Sequence, residues 1–73
     1  MFDRKIFADR VARLRKEADV SQQTMAEAIG TTKVTISRIE TGQRAVSVEM
    51  LCAIADYFNV SIDYLVGRTD IVR

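Results

Sequence analysis

The sequence contains no histidine, no proline and no tryptophan, and Cys52 is the only cysteine among 73 residues. These absences exclude an internal disulfide, a zinc site built from thiolate and imidazole ligands, and a nucleophile activated by histidine. The carboxylates are scattered along the chain and form no pair suited to acid–base chemistry. The sequence therefore predicts a protein that is not an enzyme, with no catalytic residue, no metal site and no cofactor.

Long hydrophobic runs are also absent, since the longest uninterrupted one covers only residues 50–55. Charged residues follow Phe2 directly, so we expect no signal peptide, no membrane span and no membrane partner. A cytoplasmic location follows as the expectation, and no small-molecule ligand is evident. Because 48% of the residues are hydrophobic and 29% are charged, the composition is that of a globular chain. This length suffices for one core, and we expect one domain over residues 1–73, with its core at about 6–67 and a short tail at 68–73.

Apolar residues recur at helical spacing in five stretches, each bounded by capping or helix-terminating residues. In the first, Phe7, Val11, Leu14 and Ala18 form a stripe. The predicted helices cover residues 6–18, 22–29, 33–41, 48–58 and 62–66. The sequence thus predicts an all-α fold of five helices.

Residues 31–36 give conflicting local signals. They are rich in β-branched residues and alternate like a strand. A single strand would have no pairing partner, however, while Thr32 can cap a helix and Gly42 can end one. We therefore interpret the segment as the start of the third helix.

The second and third predicted helices are joined by a glycine-containing turn, and the third carries polar side chains on one side. This arrangement is typical of a DNA-binding helix-turn-helix. The residues that strengthen the signal are Arg15, Ser21, Gln22, Ala26, Gly30, the run from Ile36 to Glu40, Gly42, and the run from Ser61 to Leu65. In these residues the chain resembles the phage-repressor/Cro-type (xenobiotic-response-element-like) helix-turn-helix regulators. The resemblance implies a compact five-helix repressor-like domain.

The third helix is predicted to read DNA bases. Ile36 and Ile39 face inward, so the opposite side would enter the major groove of double-stranded DNA. Arginine and lysine can pair with guanine, valine can contact a thymine methyl, and serine can donate or accept. The resemblance implies base and nearby phosphate contacts for the same positions together with the cap. The predicted base-contacting residues are Thr32, Lys33, Val34, Ser37 and Arg38.

A second group is predicted to contact phosphates. Gln22 lies in the first turn of the second helix, where free backbone N–H groups favour an anion. Gln43 and Arg44 lie in the loop after the third helix, which would run beside the phosphates. Thr35 is expected to contact both the second helix and the DNA backbone. Arg10 and Arg13, on the first helix, are interpreted as a solvated face, and the alternative is a position near the DNA backbone.

Further roles concern the fold and assembly. The resemblance implies a partly buried ion pair between Arg15 and Glu40, with Glu40 affecting DNA binding only through the fold.

Asp19 stands where the family often has glycine, and aspartate tolerates a left-handed conformation. Apolar residues near the C-terminal end form either the edge of the core or a dimer interface, and they are Tyr57, Tyr64, Val66, Ile71 and Val72.

The sequence therefore predicts a sequence-specific regulator, with repression of a pseudo-palindromic operator by a homodimer as the leading hypothesis. The alternative is a protein-interaction module of the same fold, such as an antitoxin or an antagonist of a larger regulator. The net charge of +1 is no argument against DNA, because residues 1–16 carry six basic and two acidic side chains. Charge is polarised along the chain.

Overall fold

The computed structural model describes residues 3–43 and 45–73, and within them it contains five helices and no strand. The helices are α1 (Arg4–Glu17), α2 (Gln22–Ile29), α3 (Lys33–Glu40), α4 (Val48–Phe58) and α5 (Ile62–Leu65). The all-α prediction is confirmed. No helix in this part of the chain has both the length and the apolar character needed to cross a membrane.

Side-chain caps explain where the helices begin. α1 starts two residues earlier than predicted because the carboxylate of Asp3 accepts hydrogen bonds from the backbone N–H groups of Lys5 and Ile6, at 2.9 and 3.2 Å. Ser21, Ser47 and Ser61 cap α2, α4 and α5 in the same way. At the helix ends the boundaries differ from the prediction by one residue, since α3 stops at Glu40 and α5 at Leu65.

The ambiguous segment at residues 31–36 is helical from Lys33 onward. The hydroxyl of Thr32 accepts from the backbone N–H of Thr35 at 3.2 Å and caps the helix. Ile36 and Ile39 are fully buried in the core. Packing of these two side chains therefore outweighs the β-propensity of the individual residues.

Left-handed backbone conformations mark the turns. Asp19 has φ of 57°, as predicted for the turn between α1 and α2. Asn59 has φ of 55° and ends α4, a role that the sequence interpretation missed although asparagine is a known substitute for glycine there. Gly67 has φ of +85°, and a Cβ on it would lie 2.8 Å from Cγ2 of Ile6. The turn after α5 thus packs against the start of α1.

The core lies where all five helices meet. Ala26 is fully buried, so a small side chain stands at the packed face of α2. The remaining members of the buried cluster are Phe7, Val11, Met25, Ile36, Ile39, Ile54, Ala55 and Leu65. Together they fix α3 on its inner side and leave its outer side to solvent.

Arg10 corrects one expectation, because it is not part of a solvated face. Its side chain is 16% exposed, and its guanidinium donates to the backbone carbonyls of Tyr64 and Thr69 and to the carboxylate of Asp70. The guanidinium carbon also lies 4.2 Å from the centre of the Tyr64 ring. We call this group of contacts the C-terminal clasp. It forms because α5 covers the face of α1 that carries Arg10.

Two other expectations about the C-terminal end change with the clasp. Tyr64 is 7% exposed and belongs to the core, so it does not contribute an exposed side chain to a dimer interface. The segment predicted as a tail is held in place, because the backbone N–H of Ser61 donates to the carbonyl of Val72 at 2.9 Å. Tyr57 packs partly buried against the core and Val66 is half-buried, whereas Ile71 and Val72 are exposed.

Candidate nucleic-acid interface

The outer face of α3 combines charged, polar and apolar side chains. Lys33 and Arg38 are exposed, and Ser37 is partly exposed between them. Val34 is 57% exposed although it is apolar. A helix presented in this way fits the major groove of B-DNA, where base edges offer hydrogen-bonding groups and thymine methyls.

Two threonines form the cap at the start of α3. The hydroxyls of Thr32 and Thr35 lie 3.1 Å apart, and the backbone N–H of Thr35 bonds to the Thr32 hydroxyl. Thr32 is exposed and Thr35 is half-buried. The cap therefore connects both predicted contact residues to each other and to the first turn of α3.

The end of α3 continues into an ordered turn. The Thr41 hydroxyl donates to the carbonyls of Ser37 and Arg38, at 3.1 and 3.2 Å, and the backbone N–H of Gln43 donates to Arg38 at 2.9 Å. Gln43 is exposed next to the helix. Arg44, the other predicted phosphate contact in this loop, lies outside the described residues.

Arg15 and Glu40 form the ion pair that the resemblance implies. Nε of Arg15 donates to Oε2 of Glu40 at 2.6 Å, and Nη2 donates to Oε1 at 3.0 Å. A third donor, Nη1, bonds to the carbonyl of Val20 at 2.9 Å. The side chains are 14% and 7% exposed, so this bidentate pair lies largely out of water and ties α1 to the end of α3.

Hydrogen bonding to Glu40 raises the pKa of Arg15 above its ordinary value, against the opposing effect of burial. When folding raises the pKa of a base, the folded state gains stability that is present in full below the ordinary pKa. This stability is lost as the pH rises from the ordinary pKa through the raised pKa of the folded state. For arginine that range lies far above physiological pH. The guanidinium is therefore a permanent charge in this pair.

Gln22 has a partner that sequence reasoning missed. Its amide nitrogen, Nε2, donates to Oε1 of Glu40 at 3.1 Å. Gln22 is the first residue of α2, directly after the Ser21 cap, and it is half-buried. No local pattern in the sequence indicates this bond, because the two residues lie 18 positions apart.

The start of α1 lies close to the end of α3. A shallow surface depression is lined by Arg4, Lys5, Ala8, Asp9, Glu40, Thr41 and Gly42. Basic residues of α1 thus approach the loop that carries Gln43. The described residues contain no group of histidine, cysteine and carboxylate side chains suited to a metal ion.

Comparison with known proteins identifies the family to which the helix-turn-helix segment is similar. Residues 11–65 match the model of a helix-turn-helix family. The chain is 40% identical over 60 residues to the HTH-type transcriptional regulator AnsR of Bacillus subtilis, covering 82% of this chain and 52% of AnsR. It is 37% identical over 60 residues to the cryptic phage CTXphi transcriptional repressor RstR of Vibrio cholerae, covering 82% of this chain and 54% of RstR. The chain spans about half the length of the curated relatives it matches.

Solved structures show the same fold. The P22 c2 repressor protein, solved in complex with the synthetic operator 9T, superposes with a TM-score of 0.82 at 25% identity, over 86% of this chain and 96% of that one. The restriction-modification controller protein C.AhdI of Aeromonas hydrophila gives a TM-score of 0.80 at 28% identity, with the same coverage of both chains. This chain belongs to the Cro/C1-type helix-turn-helix family of DNA-binding transcriptional regulators.

Proposed function

We propose that residues 1–73 act as one DNA-binding domain of a transcriptional repressor, which reads a pseudo-palindromic operator as a homodimer. α3 enters the major groove, and its outer face reads the bases. The observation that carries this proposal is the exposure of Val34 between Lys33 and Arg38 on a helix whose opposite face is completely buried. A valine placed between two basic side chains suits a thymine methyl beside guanine edges.

Base contacts and phosphate contacts have different consequences. Lys33 and Arg38 reach guanine edges, and Ser37 and Thr32 supplement them. Gln22, Thr35, Gln43 and Arg44 contact phosphates on either side of the helix. The second group fixes the orientation of α3 in the groove and contributes affinity that does not depend on sequence.

The dimensions of the domain suit one half-site of such an operator. Its longest dimension is 28 Å, while half-sites on one face of B-DNA lie about 34 Å apart. One copy therefore covers one half-site, and two copies related by a two-fold axis cover a pseudo-palindrome. Ile71 and Val72, exposed near the C-terminal end, are the residues of the predicted interface that are available to a second copy.

The relatives support the repressor assignment. RstR is named a transcriptional repressor, and the P22 c2 repressor is bound to an operator in its crystal structure. Repression then requires only that the bound domain block access to promoter DNA.

The test compares Arg38→Ala with Arg44→Ala. A consensus is selected from a library of random duplexes, and affinities are measured for that consensus and for its single-base variants. Arg38→Ala should cost about 1–3 kcal/mol on the consensus and lose discrimination at one base position. Arg44→Ala should weaken every duplex alike and reduce the slope of log K against log salt by about 0.9. Identical behaviour of both variants on all duplexes contradicts base reading by α3.

A further inference from the structure

We propose that Glu40 is a positioning residue for DNA binding: it holds the Gln22 amide in the orientation that leaves an N–H group free for a phosphate. This inference rests on the proposed function, in which Gln22 contacts the DNA backbone. It gives the ion pair between Arg15 and Glu40 a second role besides joining α1 to α3.

The carboxylate of Glu40 is fixed in its plane by Arg15. Two parallel hydrogen bonds, of 2.6 and 3.0 Å, occupy one oxygen each, and Arg15 is itself anchored on the carbonyl of Val20. The Glu40 side chain is only 7% exposed, so little of the carboxylate is open to water. The carboxylate therefore offers Gln22 an acceptor at a fixed place.

This fixed acceptor determines which way the Gln22 amide faces. An ionised carboxylate only accepts hydrogen bonds, so the amide must turn Nε2 and not its oxygen toward Oε1 of Glu40. The amide nitrogen carries two hydrogens, and one remains after this bond. An amide without such a partner is free to flip and to offer a phosphate its oxygen, which would repel the anion.

The charge of Glu40 is compatible with a nearby phosphate only because Arg15 neutralises it. Arg15 is charged at all physiological pH values, and its bidentate contact leaves the pair without net charge. The pair can thus orient a neutral donor beside DNA without adding repulsion.

The same helix offers a matched comparison. Nε2 of Gln23 donates to Oε2 of Glu27 at 3.0 Å, but both side chains are exposed and no described arginine or lysine side chain is paired with Glu27. Glutamine and glutamate are paired in both cases, and only the pair of Gln22 with Glu40 is connected to a buried cation. Glu27→Ala therefore serves as the control for loss of a glutamine's acceptor on α2.

The experiment measures DNA affinity for Gln22→Ala, for the double variant Arg15→Met/Glu40→Met, and for the triple combination. The double variant is chosen because Glu40→Ala alone strands the buried guanidinium, whereas replacing both partners with apolar side chains preserves net charge and is often neutral for stability. Affinities are compared at a temperature at which circular dichroism shows every variant folded.

Gln22→Ala should weaken binding about tenfold, as expected for one hydrogen bond to a charged group. Arg15→Met/Glu40→Met should weaken binding by a similar factor, and adding Gln22→Ala to it should cause no further loss. Glu27→Ala should leave affinity unchanged or raise it slightly. Without DNA, NMR relaxation of the Gln22 side-chain amide should show order in the parent protein and mobility in the double variant.

Three results would overturn the proposal while leaving DNA binding intact. They are parent-like affinity of the folded double variant, losses that multiply in the triple variant, and a loss in Glu27→Ala as large as in the double variant. If the parent protein selects no DNA sequence at all, the proposed function fails and this inference fails with it.

Discussion

At the scale of single residues, Glu40 combines three side-chain hydrogen bonds with a side chain that is only 7% exposed. Its carboxylate accepts from two nitrogens of Arg15 and from Gln22. Glu40→Ala should lower the free energy of unfolding by about 3 kcal/mol, because it leaves a guanidinium buried without its counter-charge. Urea denaturation followed by circular dichroism measures this loss. Arg15→Met/Glu40→Met is the matched control and should recover most of it. An unchanged melting temperature for Glu40→Ala would show that the pair is not structural.

The contrast between Val34 and Gln22 shows what the sequence reveals at this scale. The inward spacing of Ile36 and Ile39 places Val34 on the outer face of α3, and the structure confirms that it is exposed. The hydrogen bond from Gln22 to Glu40 was not predictable, because it depends on how α2 and α3 cross. Helical periodicity gives the face on which a side chain lies, and it gives no information about contacts between elements.

At the level of elements, the C-terminal clasp attaches α1 to α5 and to the segment after it. Arg10→Ala should lower the free energy of unfolding by about 1–3 kcal/mol, since it removes three hydrogen bonds made by one charged group. It should also speed hydrogen exchange at the backbone N–H of Ser61, whose acceptor is the carbonyl of Val72.

Arg13→Ala is the control for this prediction, because Arg13 lies on α1 and is exposed. Its effect should stay within about 0.5 kcal/mol. Equal stability of the Arg10 and Arg13 variants would mean that the clasp contributes nothing to the fold.

The elements differ in how well the sequence predicts them. Serine and threonine caps located four helices correctly, since each cap satisfies a backbone N–H within three residues of itself. The role of Arg10 was misjudged for the opposite reason: its partners lie 54 to 60 residues away. Arg10 lies three positions after the buried Phe7, which was the available signal, but this spacing does not show which element covers that face.

At the level of the whole molecule, charge and apolar surface are distributed unevenly. Basic residues concentrate in residues 1–16, whereas residues 45–73 carry two basic and four acidic side chains. The basic end lies beside the end of α3, and exposed Ile71 and Val72 lie at the other end of the sequence. The C-terminal clasp nevertheless brings Thr69 and Asp70 against Arg10 of α1, so the two ends of the sequence are neighbours in the fold.

Ile71→Glu tests the proposed homodimer and the place of its interface. Ile71 is 70% exposed, so the variant should fold normally, but like charges would meet across a two-fold axis. Sedimentation equilibrium should show a monomer, and affinity should fall on a full operator but not on a half-site. Val48→Glu places the same charge on another exposed apolar residue, at the start of α4, and should remain a dimer. A dimeric Ile71→Glu protein would place the interface elsewhere.

The C-terminal clasp also affects the order of folding during synthesis. Its hydrogen bonds join Arg10 to residues 54 to 60 positions later. A ribosome delivers Arg10 early and its partners late, and closing so long a loop costs entropy that only the finished contacts offset. A nascent chain therefore exposes the guanidinium of Arg10 to water while α2, α3 and α4 emerge. The fit between α1 and α5 is completed only after Asp70 has left the exit tunnel.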